Sequence, residues 1–201
     1  MCGRYSLHSN PEVIALQFHL ASVPRLAAQY NIAPSAEVLV VKREGAAIAR
    51  WDVKLKNVRG DTLAERPVFR KAYLERRCLV PANGFYEWKR AGLKQPWYFR
   101  PAAEELFAFA AVWDRRHDLE SCSVITTAAN GVVVPIHDRM PVIIAREDYA
   151  AWLQGDEGLL RPAPQDAMRG YPVSFAVNRA ANDSPALIAP LASEVQRGIF
   201  D

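Results

Sequence analysis

Apolar residues in this chain fall into short runs punctuated by turn-forming residues, a pattern of many strands and few, short helices. Val13, Ile14, Leu16 and Phe18 give an apolar side to a segment that opens with Asn10 as cap and Pro11 at the first helical position, which predicts a helix over residues 10–20. β-Branched runs at 37–42 and 47–53 flank Glu44-Gly45 and predict a hairpin. Between 59 and 76, Leu63, Val68, Phe69, Tyr73 and Leu74 recur at broadly helical spacing, and Pro67 divides them into two short helices. The middle of the chain reads as strands at 78–80, 85–89, 97–100, 106–112, 123–127 and 132–136, separated by turn chemistry at Asn83-Gly84, Ala91-Gly92 and Asn130-Gly131. A strand at 142–144, a helix at 147–153 closed near Gly155, a loop rich in Pro and Gly, and a last strand at 173–177 complete the pattern. There is no repeat or linker. The expected architecture is one α+β domain over residues 1–201, with a mostly antiparallel, barrel-like sheet and short peripheral helices.

Composition adds three constraints. A chain of 201 residues, 50% of them hydrophobic, is sized for one packed core. It has neither a signal-peptide start nor an apolar run approaching about 18 residues, which predicts a soluble, cytoplasmic protein with no membrane partner. Its three cysteines, Cys2, Cys78 and Cys122, match no zinc spacing, so no metal or other cofactor is expected. The net charge of +3 is unevenly spread: residues 50–100 carry thirteen Lys and Arg against five Asp and Glu. Such a segment suits a polyanion, although a solvated surface has the same composition.

The candidate chemistry begins at Cys2. Loss of Met1 would leave a free amine and a thiol on one residue, with ordinary pKa values of about 7.7–8.0 and 8.5, so both are partly nucleophilic near neutrality. An aldehyde meeting this pair is captured twice, first as an imine and then as a five-membered thiazolidine. Alternatively, Cys2 is a small buried residue near a start site. Glu87 alternates with Tyr86 and Trp88, so on a strand it shares a face with Phe85, where burial would raise its pKa into the working range of a proton relay. The same pattern allows a surface carboxylate paired with Lys89 or Arg90. His137 follows the apolar run 132–136 and is either an acid-base group at a strand end or a core histidine bonded to the backbone. Asn57 could orient an amine or polarise a hydroxyl, or simply serve a turn.

Together these segments resemble the SOS-response-associated peptidase family. The matching pieces are MCGRY at 1–5, YNIAP at 30–34, NVR at 57–59, PANGFYEWKR at 81–90, ITTAAN at 125–130 and IHDRMPVII at 136–144, in the family's order and spanning about two-thirds of the chain. The resemblance implies a monomeric protein that shields abasic sites in single-stranded DNA by covalent crosslinking. Cys2 would be the crosslinking nucleophile after Met1 is lost, Glu87 and His137 the catalytic acid-base pair, and Asn57 the residue that holds the amine and sugar. Arg4 and Arg59 would grip phosphates, and Thr126 would bring a strand hydroxyl to the site. Lyase-type strand cleavage is an accessible side reaction of the imine.

The chain departs from the family between the second hairpin strand and NVR, where members carry a longer insert rich in Trp, Gly and Pro. Here Trp51 is followed only by DVKLK. Gly60 and Asp61 replace a bulkier pair, which predicts a looser turn, and Pro67 stands where a further phosphate-binding Arg is common, with Arg66 positioned to reach in its place. An N-terminal-nucleophile amidohydrolase and a cysteine peptidase using Cys2 and His137 are the competing enzyme classes. A binding module with an idle aminothiol is the non-enzymatic one.

Overall fold

The computed structural model describes residues 3–52 and 57–191; Met1, Cys2, the segment 53–56 and the last ten residues lie outside the described residues. In chain order come β1 (Arg4–Leu7), α1 (Pro11–Phe18), β2 (Gln29–Ile32), β3 (Glu37–Lys42), β4 (Gly45–Trp51) and β5 (Asn57–Arg59). A 3-10 turn (Gly60–Thr62) leads to α2 (Pro67–Glu75), β6 (Arg77–Ala82), β7 (Gly84–Trp88), β8 (Pro96–Pro101), β9 (Phe107–Arg116) and β10 (Leu119–Ala128). β11 (Arg139–Pro141), β12 (Ile143–Ile144), α3 (Tyr149–Gln154) and β13 (Met168–Pro172) follow, with short 3-10 turns around and after them.

Two sheets form. β4, β3, β6, β9 and β10 close into a barrel, because β10 pairs antiparallel with β9 on one side and parallel with β4 on the other. β13, β8, β7, β1 and β2 make a five-stranded antiparallel sheet. The period-two alternation of β7 decides how the sheet docks. Phe85 joins the main core, where its ring lies 6.0 Å from that of Phe109 on the barrel, while Tyr86 belongs to a second cluster with Tyr98, Val173, Val177 and Leu187. Tyr5 on β1 packs edge-on to Trp51 at 5.3 Å, which ties sheet to barrel a second time. Trp51 is therefore a buried core residue. Between β6 and β7 the chain passes from barrel to sheet at Gly84, where a Cβ would fall 2.4–2.5 Å from the Tyr98 ring and the Phe99 carbonyl. Only a residue without a side chain fits that crossing.

Most of the expected elements form, with three differences. The run Val132–Ile136 is a helical turn and no strand: Ile136 and His137 both donate backbone N–H groups to the Val133 carbonyl. The cause is Asn130, whose Oδ1 accepts from the backbone N–H groups of Val132 and Val133 and so caps the turn, overriding the β propensity of three valines. The last strand is β13, a few residues earlier than expected, and Phe175–Asn178 is a 3-10 turn capped by Ser174. β1, β2, β5 and β11 are strands that the turn-punctuated pattern does not mark, because each is only three or four residues long and holds no more than two apolar residues. α1, α2 and the hairpin of β3 and β4 lie within a few residues of expectation, each helix with Pro at its first position.

Candidate active site

Glu87 is the fourth of the five residues of β7, paired with Trp97 of β8, on the same face as Phe85 and hence at the junction of sheet and barrel. It is 2% exposed. Burial pushes its carboxyl up to about 7, into the range where a carboxyl can exchange protons at neutral pH. Its Oε2 lies 4.0 Å from Nε2 of His137.

His137 is held from its other nitrogen. The backbone N–H of Arg139 approaches Nδ1 at 3.0 Å, with the Arg139 carbonyl and Asp138 Oδ1 each 3.2 Å from the same nitrogen, so Nε2 is the nitrogen facing Glu87. Burial lowers the His137 pKa, which favours the neutral ring at pH 7. The helical turn just before it fixes the height of the imidazole. Asn130 anchors that turn and also donates from Nδ2 to the Ala163 carbonyl at 3.0 Å. Asn130→Ala is expected to destabilise the fold by about 1–2 kcal/mol, read as a fall in urea midpoint at unchanged slope.

The end of β10 organises the rest. β5 pairs parallel with it, setting Asn57 opposite Val124 and Arg59 opposite Thr126, and β11 pairs on its other side, setting Ala128 opposite Arg139. Thr126 is fully buried; its hydroxyl donates to the Val58 carbonyl and, with its own carbonyl, receives the Arg139 guanidinium at 3.2 and 2.7 Å. Its place is internal, clasping β5 and Arg139 together. Arg59 is exposed and forks onto Asp61, Nε and Nη2 bonding the two carboxylate oxygens at 3.1 and 2.6 Å. Asp61 thus ties down the turn that the Gly60-Asp61 pair was expected to loosen, and Gly60 lies against Ile125 and Thr126.

Arg4 is placed elsewhere. It is the cross-strand partner of Tyr86, so it lies on the opposite face of the sheet from Glu87, and its Nη1 donates to Asn31 Oδ1 and the Val177 carbonyl at 2.7 and 2.9 Å. Arg66 is the residue before α2 and lies over the Phe69 ring at 5.2 Å. Cys2 lies outside the described residues.

Three residues of the site were not singled out from sequence. Arg139 holds both the His137 ring and Thr126. Arg90 reaches Asp138 at 2.7 Å and stands 3.5 Å from His137 Nε2. Asp138 Oδ1 is 3.2 Å from His137 Nδ1. All three lie inside the segments PANGFYEWKR and IHDRMPVII, so proximity in sequence to Glu87 and His137 was the available signal. Among the described residues, no group of three or more His, Cys, Asp or Glu side chains is arranged to hold a metal ion, and no helix is long and apolar enough to cross a membrane.

With this geometry in place, comparison with known proteins is decisive for kinship. The sequence model of the SOS response associated peptidase (SRAP) family matches residues 1–180. The chain belongs to that family. Among curated SRAP relatives it is similar to the abasic site processing protein YoqW of Bacillus subtilis (strain 168), 35% identical over 94% of this chain and 99% of that one. It is also similar to the abasic site processing protein YedK of Escherichia coli (strain K12), 28% identical over 95% of this chain and 100% of that one. The abasic site processing protein HMCES of Gallus gallus is 32% identical over 71% of this chain, which spans 52% of that protein. A crystal structure of a protein from Bacteroides thetaiotaomicron has the same fold, with a TM-score of 0.86 at 24% identity, covering 95% of this chain and 100% of that one. The SRAP fold is thus the barrel with its docked sheet described above.

Proposed function

We propose that this protein processes abasic sites in single-stranded DNA, capturing the ring-opened sugar in a covalent thiazolidine through Cys2 once Met1 is removed. Several SRAP relatives named abasic site processing proteins support the substrate. The observation that carries the chemistry is the buried Glu87 carboxyl facing the neutral His137 ring at 4.0 Å, on the strand next to β1. Cys2 is peptide-bonded to Gly3, which precedes the first residue of β1, and that residue pairs with Tyr86, the neighbour of Glu87.

Burial divides the work between the pair. Glu87, pushed up to about 7, is suited to give and take protons at neutral pH, whereas the His137 ring, in the tautomer that carries its proton on Nε2, donates a hydrogen bond to the sugar oxygen as the hemiacetal opens. The Cys2 amine adds to C1′, the carbinolamine loses water to give the imine, and the thiol adds across that C=N bond. The thiol proton passes to the nitrogen. One water leaves overall. Asn57 orients the amine and sugar, Arg59 and Arg66 contribute positive charge for phosphates, Arg4 braces β1 from the other face of the sheet, and Thr126 acts through its grip on Arg139. Without ring closure, the imine acidifies the adjacent sugar carbon and opens the route to strand cleavage. The peptidase in the family's description fits release of Met1 at this same site. The protein would act as a monomer in the cytoplasm, on DNA.

Intact mass after mixing with an abasic oligonucleotide tests the reading. The expected species is the chain lacking Met1 plus the oligonucleotide less one water, with no adduct on an intact strand. Protein lacking Met1 that yields no adduct would defeat it.

A further inference from the structure

Arg59, Asp61 and Arg139 form a small anion-holding group beside His137, and its anion is already present. Asp61 Oδ2 receives Arg59 Nη2 at 2.6 Å and lies 3.9 Å from Arg139 Nη1, a distance too long for a hydrogen bond. Arg139 is 14% exposed, with one guanidinium nitrogen spent on Thr126, and its buried Nε has no hydrogen-bond acceptor among the described residues. A two-oxygen carboxylate on a short stem satisfies one arginine well and the other poorly. A DNA phosphodiester, with its two charged oxygens spread tetrahedrally and no tether to the turn, can approach both and satisfy them better. The hydrogen bond from Arg59 also holds the Asp61 carboxyl below its ordinary range, so the stand-in stays charged at every pH of interest.

We infer that Asp61 is a resident competitor of the DNA backbone: it occupies the arginine pair in the free protein and must be displaced by a phosphate before the strand seats. This rests on the DNA reading above and deepens it. Arg59 and Asp61 are 59% and 50% exposed at their side chains, so the exchange needs only side-chain rotation. The consequence is weak hold on undamaged strands. Persistence is then left to the covalent bond.

The test is a fluorescence-anisotropy titration of the full chain with a single-stranded oligonucleotide carrying a tetrahydrofuran spacer, which has no aldehyde and reports reversible binding alone. Asp61→Asn is expected to tighten binding about two- to fivefold, the range of an exposed ion pair. In an Arg59→Gln background the same substitution should give a clearly smaller gain. No tightening in Asp61→Asn, or an equal gain in both backgrounds, overturns the inference while leaving the DNA reading intact. Absence of salt-sensitive binding by the unsubstituted chain overturns both.

Discussion

Cys2→Ala is expected to abolish the adduct that survives denaturing electrophoresis while leaving reversible, salt-sensitive DNA binding in place. The variant keeps the α-amine once Met1 is removed, so the imine at C1′ can still form. What it lacks is the sulfur that closes the ring. Without closure the imine reverts by hydrolysis or loses the 3′ phosphate by elimination, so strand cleavage should rise relative to stable product. Borohydride added during the reaction should trap the imine and restore a covalent band. The measurement is a time course on a denaturing gel, with and without borohydride, using material whose Met1 removal is verified by mass. A stable band from Cys2→Ala without reductant would place the nucleophile on another residue.

Glu87→Gln is expected to slow adduct formation by about 10²–10⁴-fold, the span of general acid-base catalysis, and to remove an inflection near pH 7 from the rate profile. The same substitution carries a stability signature of fixed sign. Folding raises the Glu87 pKa from 4.5 to about 7, so between those values the folded chain keeps a proton that the unfolded chain has released. Stability from this group is complete below about pH 4.5 and is lost as pH rises through 7, to a limit of about 3 kcal/mol. Gln carries no charge at any pH. The Tm difference between Glu87→Gln and the unsubstituted chain should therefore move in favour of the variant from pH 5 to pH 8. A difference that stays flat would mean that the carboxyl is solvated in the folded protein.

Local patterns carried the elements whose neighbours in sequence also determine them. The hairpin at Glu44-Gly45, the Pro-started helices, the split of Phe85 from Tyr86 across two faces and the barrel-like sheet of many short strands all follow from periodicity and turn chemistry. What stayed hidden depends on partners far along the chain. The valines after Gly131 look like a strand until the cap by Asn130 is seen, and that side chain is itself anchored to the Ala163 carbonyl. Similarly, motif pieces brought Glu87 and His137 to notice, but the hold of Arg139 on Thr126 arises only when β11 pairs with β10. Arg4 shows the converse: adjacency to Cys2 in sequence does not give it the face that Glu87 occupies, because a strand turns alternate residues to opposite sides.

The parallel pairing along β10 has an evolutionary corollary. Trp51 is hydrogen-bonded beside Cys122 and Asn57 beside Val124, so the two flanks of the segment between them are fixed independently, two steps apart on one neighbouring strand. The length of what joins them does not enter the register of either. A lineage can lengthen or shorten that joint without retuning the strand that delivers Asn57 and Arg59. The strands beneath the proposed site and the joint at its edge are separable parts, free to diversify at different speeds.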